Sequence, residues 1–193
     1  MKPSRCRPAP CDLGRRALLA TALAAGAPLG WAQAPAIAPP GELAADLPGA
    51  RLRGSALMRF FGLHIYDIRL WTAAAATADP AQPPLALELI YARKLVGEQI
   101  ARRSLDEMRR VGNPSEAQAS QWLAAMGQLF PDVRAGDRLT GVMRGDGVAR
   151  FHLNGQLRGE IADADFSRLF FGIWLSPRTS EPRLREQLLG ITP

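Results

Sequence analysis

The chain has 193 residues, 24 Lys+Arg against 18 Asp+Glu, a formal charge of +6 and two cysteines. Its overall pI near 10.3 invites a nucleic-acid reading. The distribution of charge opposes it: residues 1–34 hold five of the bases and one acid, Asp12, so the remainder carries only +2 and has no basic run longer than two. No nucleic-acid partner is therefore expected.

Residues 1–34 read as a cleavable signal peptide. A basic stretch ends in Gly14-Arg15-Arg16, an apolar run follows from Ala17 to about Trp31, and Ala32-Gln33-Ala34 supplies small residues for cleavage. The run is about 15 residues, short of the ~20 that span a bilayer. Pro35 disfavours a cut directly after Ala34, which leaves Ala32 or Ala36. The paired arginines fit twin-arginine export in part and general secretion equally; an uncleaved anchor is the competing reading. The expected location is periplasmic or secreted, with no stable membrane span once the signal is removed. Cys6 and Cys11 both precede the apolar run, so the mature chain offers no disulfide, thiolate nucleophile or cysteine-ligated metal.

Residues 35–48, rich in Pro and Ala, read as a linker into a single domain at 49–193. A strand is expected at 50–58 and another at 60–71, apolar on both alternating faces until Asp67 and so covered on both sides. Thr72–Pro84 reads as a loop and residues 85–92 as a third strand. Two helices follow. One runs from about Val96 to Val111 and stops at Gly112-Asn113-Pro114; the other is capped by Ser115 and carries Trp122, Leu123, Met126, Leu129 and Phe130. Strands at 137–144, 148–153 and 156–161 form a meander, with Asn154-Gly155 a strong hairpin signal. Helices at 163–175 and 181–189 close the chain. The order βββ-αα-βββ-αα implies an α+β fold, an antiparallel sheet with helices on one face.

No strong catalytic motif is present: there is no Walker loop, G-x-S-x-G, H-E-x-x-H or dinucleotide fingerprint. His64 and His152 are the only histidines, each alone in its strand and better suited to a structural role than to ligation, so neither a metal nor a cofactor is implied. Arg53, His64 and Tyr66 are polar residues among apolar neighbours. Being two apart in a strand, His64 and Tyr66 are expected on one face. If that face meets the helices, the three surround the polar head of an apolar ligand, with Arg53 recognising a carboxylate or enolate. The plainer alternative leaves Arg53 exposed at a strand edge and Tyr66 in the core. The arginines at 102, 103, 109 and 110 read as a solvated helix face, with Asp106 and Glu107 four residues after Arg102 and Arg103 for pairing. Phe166–Leu175 has the spacing of a core helix and can equally form a ligand wall.

Four blocks together resemble the bacterial chalcone isomerase-like family of exported proteins: Leu52-Arg53-Gly54 with Phe60–Leu70, then Leu87–Ile100, the meander 137–161, and Phe170-Phe171-Gly172-Ile173-Trp174-Leu175-Ser176-Pro177. The resemblance implies an open-faced β-sandwich, a large antiparallel sheet under a layer of helices with a ligand cleft between. In the plant enzymes of this family an arginine, two threonines, a tyrosine and an asparagine line the cleft. By resemblance the arginine falls on Arg53, whereas Phe61, Ile100, Glu107 and Leu169 stand at or near the other four positions. Hydroxyl donors to an oxyanion each contribute about 10²–10³ in rate, so their loss opposes flavanone-forming catalysis and is expected to narrow the cleft. Some relatives bind fatty acids without catalysis. The leading expectation is accordingly an exported, non-catalytic domain that binds a small apolar anion such as a fatty acid. The alternatives are an isomerase using Arg53, His64 and Tyr66 in a rearranged site, and a cell-envelope interaction protein whose sheet–helix space is closed and filled. The sequence names no protein partner.

Overall fold

Alternating side chains in six segments build one antiparallel sheet: β1 Arg51–Phe60, β2 Leu63–Thr72, β3 Leu85–Tyr91, β4 Arg138–Met143, β5 Ala149–Leu153 and β6 Gln156–Ile161. The computed structural model describes residues 37–73, 82 and 84–191. The signal peptide expected at 1–34 and most of the loop at 72–84 lie outside them. The strands pair strictly in chain order, β1-β2-β3-β4-β5-β6, so the sheet is a meander interrupted once, between β3 and β4, by the helices α1 Gly97–Val111 and α2 Glu116–Leu129. Helices α3 Ala164–Leu175 and α4 Pro182–Leu189 follow β6.

Local chemistry explains the helix limits. Ser115 opens α2 with a capping box, its hydroxyl accepting from the Gln118 amide while the Gln118 side chain accepts from the Ser115 amide. Asp163 caps α3 by accepting from the amides of Asp165 and Phe166, and also takes the indole N–H of Trp122 at 2.8 Å. One face of the sheet, carrying Ile68, Leu70, Leu87, Leu139 and Phe151, packs against all four helices as the main core. Within α3, Phe166 and Phe170 stack at 5.4 Å between centroids, and Phe170 meets Phe151 edge-on at 5.2 Å. Such pairs add to the burial of their large apolar surfaces.

Two glycines allow the layers to close. A Cβ on Gly54 of β1 would lie 2.3 Å from the Gln187 carbonyl of α4, and one on Gly172 of α3 would lie 2.8 Å from Val111 of α1. These contacts give a packing reason for the Gly in Leu52-Arg53-Gly54 and in Gly-Ile-Trp-Leu-Ser-Pro.

The expected linker at 35–48 is corrected over its described part. From Pro40 onward the chain forms a short 3-10 turn, Gly41–Leu43, and lies on the outer face of the sheet. There Leu43 and Leu47 form a second core with Trp71, Ala86 and Val142. Glu42 accepts from Arg138 at 2.9 Å and from the Thr140 hydroxyl at 2.9 Å, and Asp46 from Arg150 at 2.7 Å. Glu88, also buried, accepts the Trp71 indole N–H at 2.9 Å. Leu43/Leu47 and Glu42/Asp46 are four apart, so one turn of chain delivers both apolar anchors and their charged partners. Pro and Ala content alone hid this.

The expectation of a strand at 60–71 covered on both sides also needs correction. Phe60 ends β1, the chain turns at Phe61-Gly62, and only the second half of β2 is buried.

Candidate functional site

Between the sheet and the helices lies an open cavity of about 360 Å³, within the range of small-molecule sites. Its floor is the apolar face of β1–β5, including Met58, Leu87 and Leu139; its roof is Phe170, Ile173 and Trp174 of α3 with Ile100 of α1. The α3 segment thus serves as core helix and cavity wall together.

Polar groups of the lining come from two segments: Gln99, Arg103, Ser104 and Glu107 from α1, and Ser180 and Glu181 ahead of α4. Among the described residues Arg103 is the sole cationic side chain of the lining. Its guanidinium lies 2.6 Å from the buried carboxylate of Glu107 and 5.9 Å from the centre of the Phe60 ring. The Arg103–Glu107 pair is the one expected from their spacing; Arg102 pairs instead with Glu98 one turn earlier, at 2.6 Å. Arg110 approaches the other Glu107 oxygen at 3.6 Å, a second counter-charge for this buried carboxylate.

Tyr66 lies deeper. Its hydroxyl accepts the indole N–H of Trp174 at 3.0 Å, and its ring meets Tyr91 edge-on at 5.9 Å. Burial pushes the phenol up to about 12, with a smaller opposing contribution from the Trp174 hydrogen bond. Tyr91 is shifted upward for the same first reason. A buried phenol with that affinity for its proton is a hydrogen-bonding group at neutral pH and a poor base.

Arg53, His64 and Tyr66 are not brought together, and two β-bulges explain why. Along β1, Leu52 pairs with Trp71 and Gly54 with Leu70, which leaves Arg53 as an extra residue. Arg53 is exposed on the edge strand and donates to the Leu189 carbonyl at 3.1 Å, finishing the C-terminal end of α4. It is absent from the cavity lining. Along β2, Met58 pairs with Tyr66 and Arg59 with His64, so Ile65 is the extra residue. The bulge reverses the alternation: Ile65 and Tyr66 both line the cavity, while His64 falls opposite Arg59 on the outer face, 3.4 Å from Asp67.

The positions assigned by resemblance divide in the same way. Ile100 and Glu107 line the cavity; Phe61 is on the hairpin turn, and Leu169 packs against Gly112. The expected narrowing by Phe61 and Leu169 therefore does not occur. Arg103 is the polar residue that sequence reading missed, because its i,i+4 acid made it look like one more solvated helix charge.

His152 is buried on the outer face beside Thr140, with its Nδ1 lacking a hydrogen-bond partner among the described residues. Burial lowers its proton affinity. Among the described residues no cluster of His, Cys, Asp or Glu is suited to hold a metal, and no helix is long and apolar enough to cross a membrane.

The family model described as chalcone isomerase-like matches residues 41–190. A Haemophilus influenzae protein described as uncharacterized is 30% identical over 139 residues, covering 72% of this chain and 67% of that protein. Among solved structures, an Arabidopsis thaliana fatty-acid binding protein superposes with a TM-score of 0.58 at 14% identity, over 73% of this chain and 87% of that one. The chain belongs to the chalcone isomerase-like family, and its open antiparallel sheet under four helices is that family's open-faced sandwich.

Proposed function

We propose that this chalcone isomerase-like domain is a non-catalytic binding protein for an amphiphile with an extended apolar chain, a fatty acid being the first class to test. The observation that carries the reading is the open apolar cavity whose single lining cation among the described residues is Arg103. An apolar chain gains about 25 cal/mol for each Å² it removes from water, and a guanidinium offers paired donors to a carboxylate. Arg103 replaces Arg53 as the candidate head-group ligand. The Arabidopsis protein of similar fold is named for fatty-acid binding, which supports the same ligand class here.

A space that is open rather than filled favours a ligand over a purely structural or partner-binding role. A reaction is disfavoured by the chemistry of the lining. Tyr66 is committed to Trp174 and holds its proton tightly, and Arg53 and His64 lie elsewhere. Delivery to the periplasm is part of the proposal; it rests on the basic stretch through Arg16 and the apolar run at 17–31. N-terminal sequencing of the protein from a periplasmic fraction tests it, with a start between Gln33 and Ile37 expected and an intact Met1 contradicting it.

The binding test is uptake of dodecanoate and hexadecanoate by the purified protein and by Ile100→Trp, which projects a bulkier indole into the cavity where the apolar chain would lie. The parent is expected to bind one equivalent and the variant none. Equal uptake by both would place the ligand outside this cavity.

A further inference from the structure

The β1–β2 hairpin ends in apolar side chains that the fold does not use. Phe60, Phe61 and Leu63 are 49%, 89% and 53% exposed, although Phe60 and Arg103 also line the cavity, which places this tip at the cavity mouth. The turn itself is unfavourable for its sequence. Phe61 and Gly62 have φ of 47° and 77°, the two positive values of a turn that prefers Asn-Gly. The same chain makes that turn with the preferred pair at Asn154-Gly155, φ 50° and 85°. Phe61 thus opposes both backbone preference and solvent, and its one ring contact is its neighbour Phe60 at 4.5 Å.

Positive charge surrounds the tip. Arg59 donates to the Gly62 carbonyl at 3.3 Å, and the Arg103 guanidinium lies over Phe60. After β3 the chain runs back along the hairpin, with the Ala92 amide donating to Ile65. It then carries Arg93 and Lys94, neither of which has an acidic partner among the described residues. The acids near these cations are Asp67, beside His64, Glu98, paired with Arg102, and Glu107, paired with Arg103, which leaves Arg59, Arg93 and Lys94 as the tip's uncompensated charges among the described residues.

We propose that the hairpin tip docks the domain on an anionic lipid bilayer. Phe61 and Leu63 enter the boundary of head groups and acyl chains, and Arg59, Arg93 and Lys94 meet the lipid phosphates. The mouth of the cavity then faces the bilayer, so an apolar molecule passes between them without crossing water. The docking surface stands on the exposed hairpin tip and the cations beside it, and holds whether or not the cavity takes a fatty acid.

The test is co-sedimentation with vesicles of phosphatidylglycerol and phosphatidylethanolamine, and with vesicles of phosphatidylcholine alone. The chain from Ile37 onward, a compact unit with both cores, removes the apolar run at 17–31 as a second anchor. The parent is expected to pellet with the anionic vesicles and weakly with the neutral ones. Phe61→Asn, which suits the turn, is expected to bind about tenfold less, and Arg93→Ala with Lys94→Ala to bind less and lose most of the salt dependence. Leu63→Ser gives the same comparison should Phe61→Asn not fold. Absence of binding, or equal binding by parent and tip variants, overturns the proposal. So does a dimer in light scattering that Phe61→Asn dissolves, which would assign the tip to a second copy of the chain.

Discussion

Replacing Arg103 with methionine separates the charge at the cavity from the apolar stem that carries it. The guanidinium lies 2.6 Å from Glu107, but its side chain is 56% exposed while that of Glu107 is only 7% exposed. Solvent screening reduces the worth of such a half-exposed pair, and Arg110 remains near Glu107. The stability cost is therefore about 1 kcal/mol, a Tm lower by about 2–4 °C for a domain of this size. The effect on a bound carboxylate is larger. A hydrogen bond to a charged group contributes about 1.5–3 kcal/mol, so dodecanoate is expected to bind roughly 10- to 100-fold more weakly. Glu107, less neutralised, pushes in the same direction. Dodecanol has the same chain without the charge and should bind parent and variant within about twofold, since the methionine keeps the apolar wall. Isothermal titration of both ligands to both proteins gives the four affinities. Equal losses for acid and alcohol, or no loss for the acid, would refute Arg103 as the head-group ligand.

Other consequences follow from individual residues. Phe61→Asn relieves an aromatic residue from a positive φ and should raise the Tm by about 2–4 °C, corresponding to about 1 kcal/mol; a fall would contradict the turn argument. Tyr66 and Tyr91 are the only tyrosines of the chain, and both have raised pKa values. Ultraviolet titration of the folded protein should show no tyrosinate at pH 10, with the signal appearing on unfolding in denaturant. Because the unfolded phenols ionise first, stability holds below pH 10 and falls as pH climbs from 10 toward 12. Tyr66→Phe leaves the Trp174 indole N–H without its acceptor and should cost about 1–3 kcal/mol in chemical denaturation. For His152 the lowered pKa works in the opposite sense: stability is present above about pH 6.5 and declines as pH falls below it, because the unfolded imidazole protonates first. His152→Gln should flatten that decline.

The element order was readable because its punctuation is local. Gly112-Asn113-Pro114, the Ser115 cap and Asn154-Gly155 each act within a few residues of where they stand. The site was harder to read because it depends on face, and face depends on unbroken alternation. One extra residue at Arg53 and another at Ile65 move side chains across the sheet without leaving a compositional trace. Arg53 consequently went to the end of α4 and His64 to the outer face, while Tyr66 kept its place. The segment at 40–50 was missed for a different reason: its partners Arg138, Thr140 and Arg150 come about a hundred residues later. Arg103 could have been found through its position near the start of a helix with an apolar stripe at Ile100, Ala101, Leu105 and Met108. Only the cavity beneath it distinguishes it from Arg102.

The central claim is that the space between sheet and helices holds an apolar chain. Native mass spectrometry of the protein with added hexadecanoate tests it most directly. A one-to-one complex is expected for the parent and none for Ile100→Trp. A parent protein that stays empty at saturating hexadecanoate would contradict it.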